Sequence, residues 1–368
     1  MTPVEPHRSS PNEALLPQAR SSRRMSATHT HDVLIIGQGL AGAVLSETLA
    51  AQGKRVALFD APRVGRASAA AAGLVNPVVL RRTVPSWRAL EMHGIASAFY
   101  QALETRYAAR FWYPLPVVGL FPGAHEAEIW QRRLLDPEVA PFLGTSGSAD
   151  PVVQAFPQPH GHGVVKHGAW LDIPTLLSIH RQRWVAAGEL LELEVLDTDL
   201  RALEDGVEVL GRSAPLLVRC TGPFASVAGL VPVRGEGLTV RIPGLGLQSV
   251  VHRQVFILPI GEDLYKVGAT FAWTDVWSGP TAEARRWLTQ CLEQLIDRPY
   301  EVLDHWVGVR PAARDRRPIL GRTGAHEAVF NGLGSRGVLL APWSAQHLSD
   351  QLFGNAAVDP EVDPARFS

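Results

Sequence analysis

What most constrains the fold of this chain is a glycine pattern, Gly37-Gln38-Gly39-Leu40-Ala41-Gly42, set between a strand signal and a helix signal. Before it, Asp32-Val33-Leu34-Ile35-Ile36 is a short apolar run, rich in branched residues, that reads as a strand buried on both faces. After it, Leu40, Val44, Leu45 and Leu49 recur at helical spacing until Gly53, and Arg55-Val56-Ala57-Leu58-Phe59 gives a second buried strand ending at Asp60. Together these make a β-α-β unit. Its loop has a chemical reading: Gly37 permits the tight turn, Gly39 lets main chain approach a pyrophosphate, and Gly42 allows close helix-strand packing while helix N–H groups face the phosphate. An acid about 20 residues on, at the end of the second strand, takes ribose hydroxyls, and Asp60 stands there. The fingerprint serves NAD and FAD alike, so the rest of the chain has to choose between them.

Composition removes several classes. The 368 residues, 46% hydrophobic and 19% charged, suit a globular chain of about two domains. Basic and acidic residues number 35 and 36, so no global field gathers nucleic acid or an anionic membrane surface. Two cysteines, Cys220 and Cys291, are too few for a disulfide framework and fit a reducing, cytoplasmic location. No run reaches the roughly 20 apolar residues of a membrane span. Residues 1–30 mix Pro, Ser and Arg without apolar periodicity and are expected to be disordered. Arg23-Arg24 lacks the apolar region of an export signal, and Met25 is a second candidate start.

Further along, helical spacing runs from Trp87 to Arg110, and Phe111 to Phe121 reads as an edge strand that tolerates Pro114 and Pro116. Trp170 to Ala187 reads as a helix started by Asp172, and Leu216 to Cys220 as a strand. Val250–Leu258 and Leu264–Thr270 make a hairpin about Gly261-Glu262-Asp263, followed by a helix over Thr281–Leu295. Ala328–Asn331 is a strand, Gly332–Gly337 a glycine turn, and Leu339–Leu352 a helix with Pro342 near its start.

Asp60 is followed by Ser68-Ala69-Ala70-Ala71-Ala72-Gly73-Leu74-Val75-Asn76-Pro77. The far end carries Gly308-Val309-Arg310-Pro311, Arg314-Asp315, Pro318-Ile319-Leu320-Gly321 and Asn331-Gly332-Leu333-Gly334-Ser335-Arg336-Gly337. In this order the motifs resemble the D-amino acid oxidase superfamily of FAD-dependent oxidoreductases, with glycine oxidase, sarcosine oxidase and the oxidase half of the bifunctional tRNA wobble-uridine enzyme as kin. The resemblance runs from Asp32 to the C-terminal helix. It implies FAD held in an extended pose, with Gly37 to Gly42 at the pyrophosphate, Asp60 at the adenosine ribose and Ser68 to Gly73 beside the isoalloxazine. Gly332, Gly334, Ser335, Arg336 and Gly337 would close over the ring, where glycines leave room for main chain. The fold class is then α/β: a Rossmann-like FAD-binding domain from residues 31–79, 164–230 and 302–368, with a discontinuous, mostly antiparallel α+β substrate domain from 80–163 and 231–301.

Oxidising an amine by hydride transfer to flavin needs the Cα–H aimed at the ring and an unprotonated nitrogen, so orientation is the protein's main contribution. A guanidinium grips an amino acid carboxylate in two-point fashion, and Arg310 matches the clamp arginine of similar oxidases. Lys266, one of three lysines with Lys54 and Lys166, resembles a lysine that assists oxygen reduction in sarcosine-oxidase-like members, although strand alternation equally allows it to face water. Phe256 and Tyr265 could line the pocket or simply pack. His160, His162 and His167 have no cysteine or carboxylate at ligand spacing, so no metal is expected. Arg336 is open to two readings, a flavin-edge cation or a loop residue. The expected activity is oxidation of a small amine or amino acid C–N bond to an imine, with molecular oxygen or another acceptor. The alternatives are action on a modified tRNA nucleoside side chain, against which the balanced charge argues, and a flavoprotein with a non-catalytic role.

Overall fold

The computed structural model describes Met1 and residues 29–145, 151–354 and 356–368. The disorder expected over 1–30 and the start at Met25 therefore fall outside the described residues, except at the very end of that segment. There Thr30 is tied to Ser213, its amide donating to Ser213 Oγ at 3.2 Å and its hydroxyl to Ser213 O at 3.1 Å.

Strand β1 (Val33–Ile36), helix α1 (Leu40–Ala51) and strand β2 (Val56–Phe59) form the expected unit, with Val33 opposite Val56 in a parallel pair. Alternation explains why the strands are apolar throughout. Val33, Ile35 and Leu58 join Val44 and Leu45 of α1 in one core, while Leu34, Ile36, Ala57 and Phe59 pack on the other face with Val207 and Val209. The sheet has six strands in the order Leu190–Leu191, β2, β1, Leu217–Arg219, Glu327–Asn331, Ile319–Arg322. All pairs are parallel except the last. Both ends of the chain thus enter one sheet, and the loops that follow β1 and Glu327–Asn331 reach the same cavity.

An eight-stranded sheet forms the second layer, antiparallel apart from the pairing of Val117–Leu120 with Val250–His252. Its long pair, Leu230–Arg241 and Glu301–Ala313, runs from Leu230 opposite Ala313 to Arg241 opposite Glu301, with a shift of register between Thr239 and Val240. Leu288 and Leu292 of the helix Ala282–Glu293 cover its core at Leu238, Val240 and Val267. Because Glu301–Ala313 belongs to this sheet and Ile319–Arg322 to the other, we place the C-terminal changeover between lobes after Ala313; a division at 302 cuts the strand.

Several elements differ from expectation for physical reasons. Phe111–Phe121 is two strands, because Pro114 and Pro116 break it: Trp112–Pro114 sits at the edge of a small sheet, whereas Val117–Leu120 lies inside the large one. Val250–Leu258 also divides, into Val250–His252 and Phe256–Gly261. Trp170 and Leu171 pair with Tyr113 and Trp112 in a strand, so the helix starts at Ile173, with Asp172 accepting from Thr175 N at 3.2 Å. The last helix starts earlier, at Gly337, and runs to Phe353 with Pro342 inside it. Proline cannot donate to the carbonyl four residues back. The buried Tyr100 hydroxyl donates to that acceptor, Val338 O, at 3.0 Å.

Candidate functional site

A cavity of about 430 Å³ lies between the two sheets, and the glycine loop after β1 forms one wall. Gly37 has φ +104°, and a Cβ there would lie 2.5 Å from Cys220 O; a Cβ at Gly42 would lie 1.9 Å from Gly37 O. No other residue type fits these two positions without moving backbone. Gly39 provides no side-chain cap for α1, whose first turn also lacks an acid. Ser68 Oγ accepts from Leu40 N at 3.0 Å and so joins the 67–73 segment to the helix start. Gly37, Gly39, Leu40, Ala41, Ser68 and Gly73 line the cavity. Gln38 and Gly42 stand behind it.

Asp60 also lines the cavity, and its carboxylate is held in place by three protein partners. Oδ1 accepts from Gln38 N at 2.9 Å, Oδ2 accepts from Arg66 Nη2 at 3.1 Å, and Arg181 adds a second ion pair. Gln38 is buried and locked: its Nε2 donates to Leu177 O and to His180 Nδ1, each at 3.0 Å, and its Oε1 accepts from Arg181 Nε at 3.1 Å. His180 Nε2 donates in turn to Ser46 Oγ at 2.9 Å, since that hydroxyl donates to Ala43 O. Burial pushes the His180 imidazole down to about 4, which keeps it in this neutral tautomer.

At the other end lie the C-terminal residues. Gly334, Ser335, Arg336 and Gly337 line the cavity, while Gly332 turns the chain against Ile319 outside it. The helix that begins at Gly337 likewise has no side-chain cap and no acid in its first turn. Arg336 Nη1 donates to Asn76 O at 2.8 Å and to Ser86 Oγ. Arg310 Nη1 donates to Thr270 O at 3.0 Å, and its guanidinium lies 4.2 Å from the centre of the Phe271 ring. Burial pushes both arginines down to about 10, in Arg336 with help from Arg316. Both remain cations at neutral pH. Neither has a carboxylate partner among the described residues, so this end is an uncompensated positive site that suits an anion.

Lys266 does not line the cavity. Its amine crosses from the large sheet to donate to Ala71 O at 3.1 Å, and Ala71 is in the cavity wall. Burial lowers the amine's pKa, opposed by Asp172 and Asp304. Phe256 lines the cavity, but Tyr265, adjacent to Lys266 and so on the opposite strand face, packs into the core of the large sheet. Among the described residues no group of three or more His, Cys, Asp or Glu side chains could hold a metal ion. Cys220 lines the cavity as a buried thiol whose pKa is raised by desolvation.

Sequence reasoning missed Arg66, Arg181 and the aromatic residues Trp306 and Phe271. Arg66 carried a signal, being the charge that directly precedes the small-residue run starting at Ala67. The others carried none. The arrangement fits a dinucleotide: two uncapped helix starts, a fixed acid, and main chain where a Cβ could not be placed all face one cavity.

The family described as DAO, FAD dependent oxidoreductase, matches residues 32–351. Among similar proteins, the glycine oxidase of Pseudomonas putida is 25% identical over 369 residues, covering 91% of this chain and 97% of that protein. The tRNA 5-methylaminomethyl-2-thiouridine biosynthesis bifunctional protein MnmC of Azoarcus sp. (strain BH72) is 26% identical over 404 residues, covering 95% of this chain. The chain spans only 62% of that relative's length. The crystal structure of glycine oxidase from Geobacillus kaustophilus superposes with a TM-score of 0.74 at 24% identity, covering 93% of this chain and 98% of that one. Iminodiacetate oxidase from Chelativorans sp. BNC1 gives 0.73 at 23% identity, over 91% and 98%. These two likenesses establish a shared fold.

Proposed function

This chain belongs to the DAO family of FAD-dependent oxidoreductases, and on that premise we propose that it oxidises the C–N bond of a small amine or amino acid to an imine. The observation that carries the reading is Arg310, a buried guanidinium in the cavity with no carboxylate to pair with among the described residues. It is the complement of a substrate carboxylate, which it would grip through two N–H groups. When bound, FAD would supply the redox chemistry, taking up a hydride equivalent from the substrate carbon. The chain's own part is orientation. Arg310 anchors the acid group, the apolar wall about Phe256 and Trp306 keeps water from the reacting carbon, and the released imine is hydrolysed by water to a carbonyl compound and ammonia or an amine.

We assign the remaining residues the roles that their positions support. Gly37, Gly39, Leu40 and Ala41 offer main chain to the pyrophosphate, and Asp60 the ribose contact. Ser68, Gly73, Gly334, Ser335, Arg336 and Gly337 border the ring. Gln38, Gly42 and Gly332 shape these loops from behind, and Lys266 sets a cation behind Ala71. The likeness to the bifunctional tRNA protein supports a second reading, a modified nucleoside substrate. Salt-sensitive retardation of tRNA by the purified protein would favour it.

The test is anaerobic bleaching of the purified holoprotein's FAD across glycine, N-alkyl glycines, larger amino acids and simple amines. Bleaching by at least one member is expected. A flavin that none of them reduces overturns the proposal.

A further inference from the structure

The wall around Arg310 is built from aromatic rings laid on glycines. A Cβ at Gly237 would lie 2.0 Å from Trp306 Cζ2, and one at Gly268 would lie 3.1 Å from Phe256 Cζ and 3.2 Å from Trp306 Cη2. Side chains at these strand positions would displace both rings, so the glycines let Trp306 and Phe256 lie close against the sheet. Gly235 does the same for the clamp, since a Cβ there would meet Arg310 Nη2 at 2.1 Å. Phe256, Trp306 and Phe271 all line the cavity.

Phe271 is the most informative of the three. It sits in the cavity wall against the Arg310 guanidinium, yet 53% of its surface is exposed. Trp273, 65% exposed, stacks with it at 6.4 Å and 26°. The segment that carries them is held by the main chain at both ends. Thr270 N donates to Glu236 O at 3.0 Å, Ala272 exchanges two backbone bonds with Arg234, and Arg234 Nη1 donates to Asp275 O at 2.8 Å. Thr281 N closes the segment on the buried Glu236 carboxylate at 2.7 Å. The backbone that carries the rings is therefore fixed before any ligand arrives, which removes the ordering cost that a loose loop would impose on binding.

Resting on the amine-oxidation reading, we propose that the preferred substrate is an amino acid whose nitrogen or Cα carries a planar aromatic substituent. Its carboxylate pairs with Arg310 while its ring lies among Phe256, Trp306 and Phe271, with Trp273 beyond. Glycine would engage the clamp alone and leave the exposed aromatic faces in water. A ring would cover them and gain offset or edge-to-face contacts.

The experiment compares anaerobic reduction of the intact holoenzyme by glycine, sarcosine, N-benzylglycine, N-(cyclohexylmethyl)glycine and both enantiomers of phenylalanine. The better of the N-benzyl and phenylalanine substrates should exceed glycine and the cyclohexyl analogue by about tenfold or more in reduction rate over Kd. Phe271→Leu and Trp273→Leu should narrow that ratio by raising Kd for the ring-bearing substrate while its limiting reduction rate holds. Glycine matching or exceeding the aromatic substrates overturns the inference, and this comparison needs only the wild-type protein. Equal losses for glycine and the aromatic substrate in both variants overturn it as well. The two proposals fail separately: a flavin bleached equally by glycine and by the aromatic substrates sinks only this one, whereas a flavin that no amine bleaches sinks the amine reading too.

Discussion

The two ends of the cavity stand on opposite electrostatic terms. At Asp60 the acid meets Arg66, Arg181 and the Gln38 amide, and Gln38 is fixed in turn by His180 and Leu177. At Arg310 and Arg336 the two guanidiniums are buried against main-chain carbonyls, a serine hydroxyl and an aromatic ring, with no carboxylate partner among the described residues. The first arrangement satisfies itself and suits a group that stays bound. The second carries a desolvation cost that an arriving anion relieves, which suits a ligand that comes and goes.

The sharpest way to break this contrast is Arg310→Leu. If the clamp end holds its cation for substrate, kcat/KM for amino acids should fall by about 10³, the equivalent of roughly 4 kcal/mol for a buried charge pair. Simple amines should change only a few fold and the melting temperature should hold or rise. An equal fall for both substrate classes, or a large drop in melting temperature, would make Arg310 a structural residue. Asp60→Asn should act in the opposite sense, on the protein rather than on the substrate. It leaves Arg66 and Arg181 close together without their shared acid, so FAD retention should weaken and stability should fall by about 2–3 kcal/mol, a figure reduced for the partial exposure of both arginines. Unchanged melting of the FAD-free protein would show that the end is not self-sufficient.

The smallest effect concerns acid. His180 titrates at about 4 in the folded protein against an ordinary 6.5. Between those values the unfolded chain binds a proton that the folded one refuses, so the stability this site contributes is full above pH 6.5 and declines as pH falls toward 4. Protonating Nδ1 also removes the acceptor for Gln38 Nε2 and so loosens the Asp60 network. A loss on the order of 1 kcal/mol at pH 5.5 is expected, seen as falling melting temperature and earlier FAD release, and His180→Gln should flatten both curves. His252, also lowered to about 4 by burial, adds to the melting curve but lies outside the Asp60 network.

Much of the nucleotide end was legible because its chemistry is local. The strand, loop and helix occupy consecutive residues, and Asp60 follows from the next strand. Ser68 was marked by its motif and Arg310 by the Gly-x-Arg-Pro pattern, and both line the cavity, whereas the sequence left Arg336 open between a flavin-edge cation and a loop residue. The phase of the hairpin was not legible, so Phe256 and Tyr265 looked equivalent, although they face opposite sides of the large sheet. Nor could Gln38 be separated from the loop it sits in, since its partners come from the helix Ile173–Ala186.

The amino-acid order by itself determined a β-α-β unit with a glycine loop at its turn, because tight turns and buried parallel strands depend on neighbouring residues. Only the tertiary structure decided what surrounds the ligand. Arg181 of the helix Ile173–Ala186 reaches Asp60 at the end of β2, Lys266 reaches Ala71 from the large sheet, and Phe271, in a segment bonded to the strand Leu230–Arg241, covers Arg310 of the neighbouring strand Glu301–Ala313. Such contacts join residues distant in the chain, and no local spacing encodes which face of a strand the other sheet will cover.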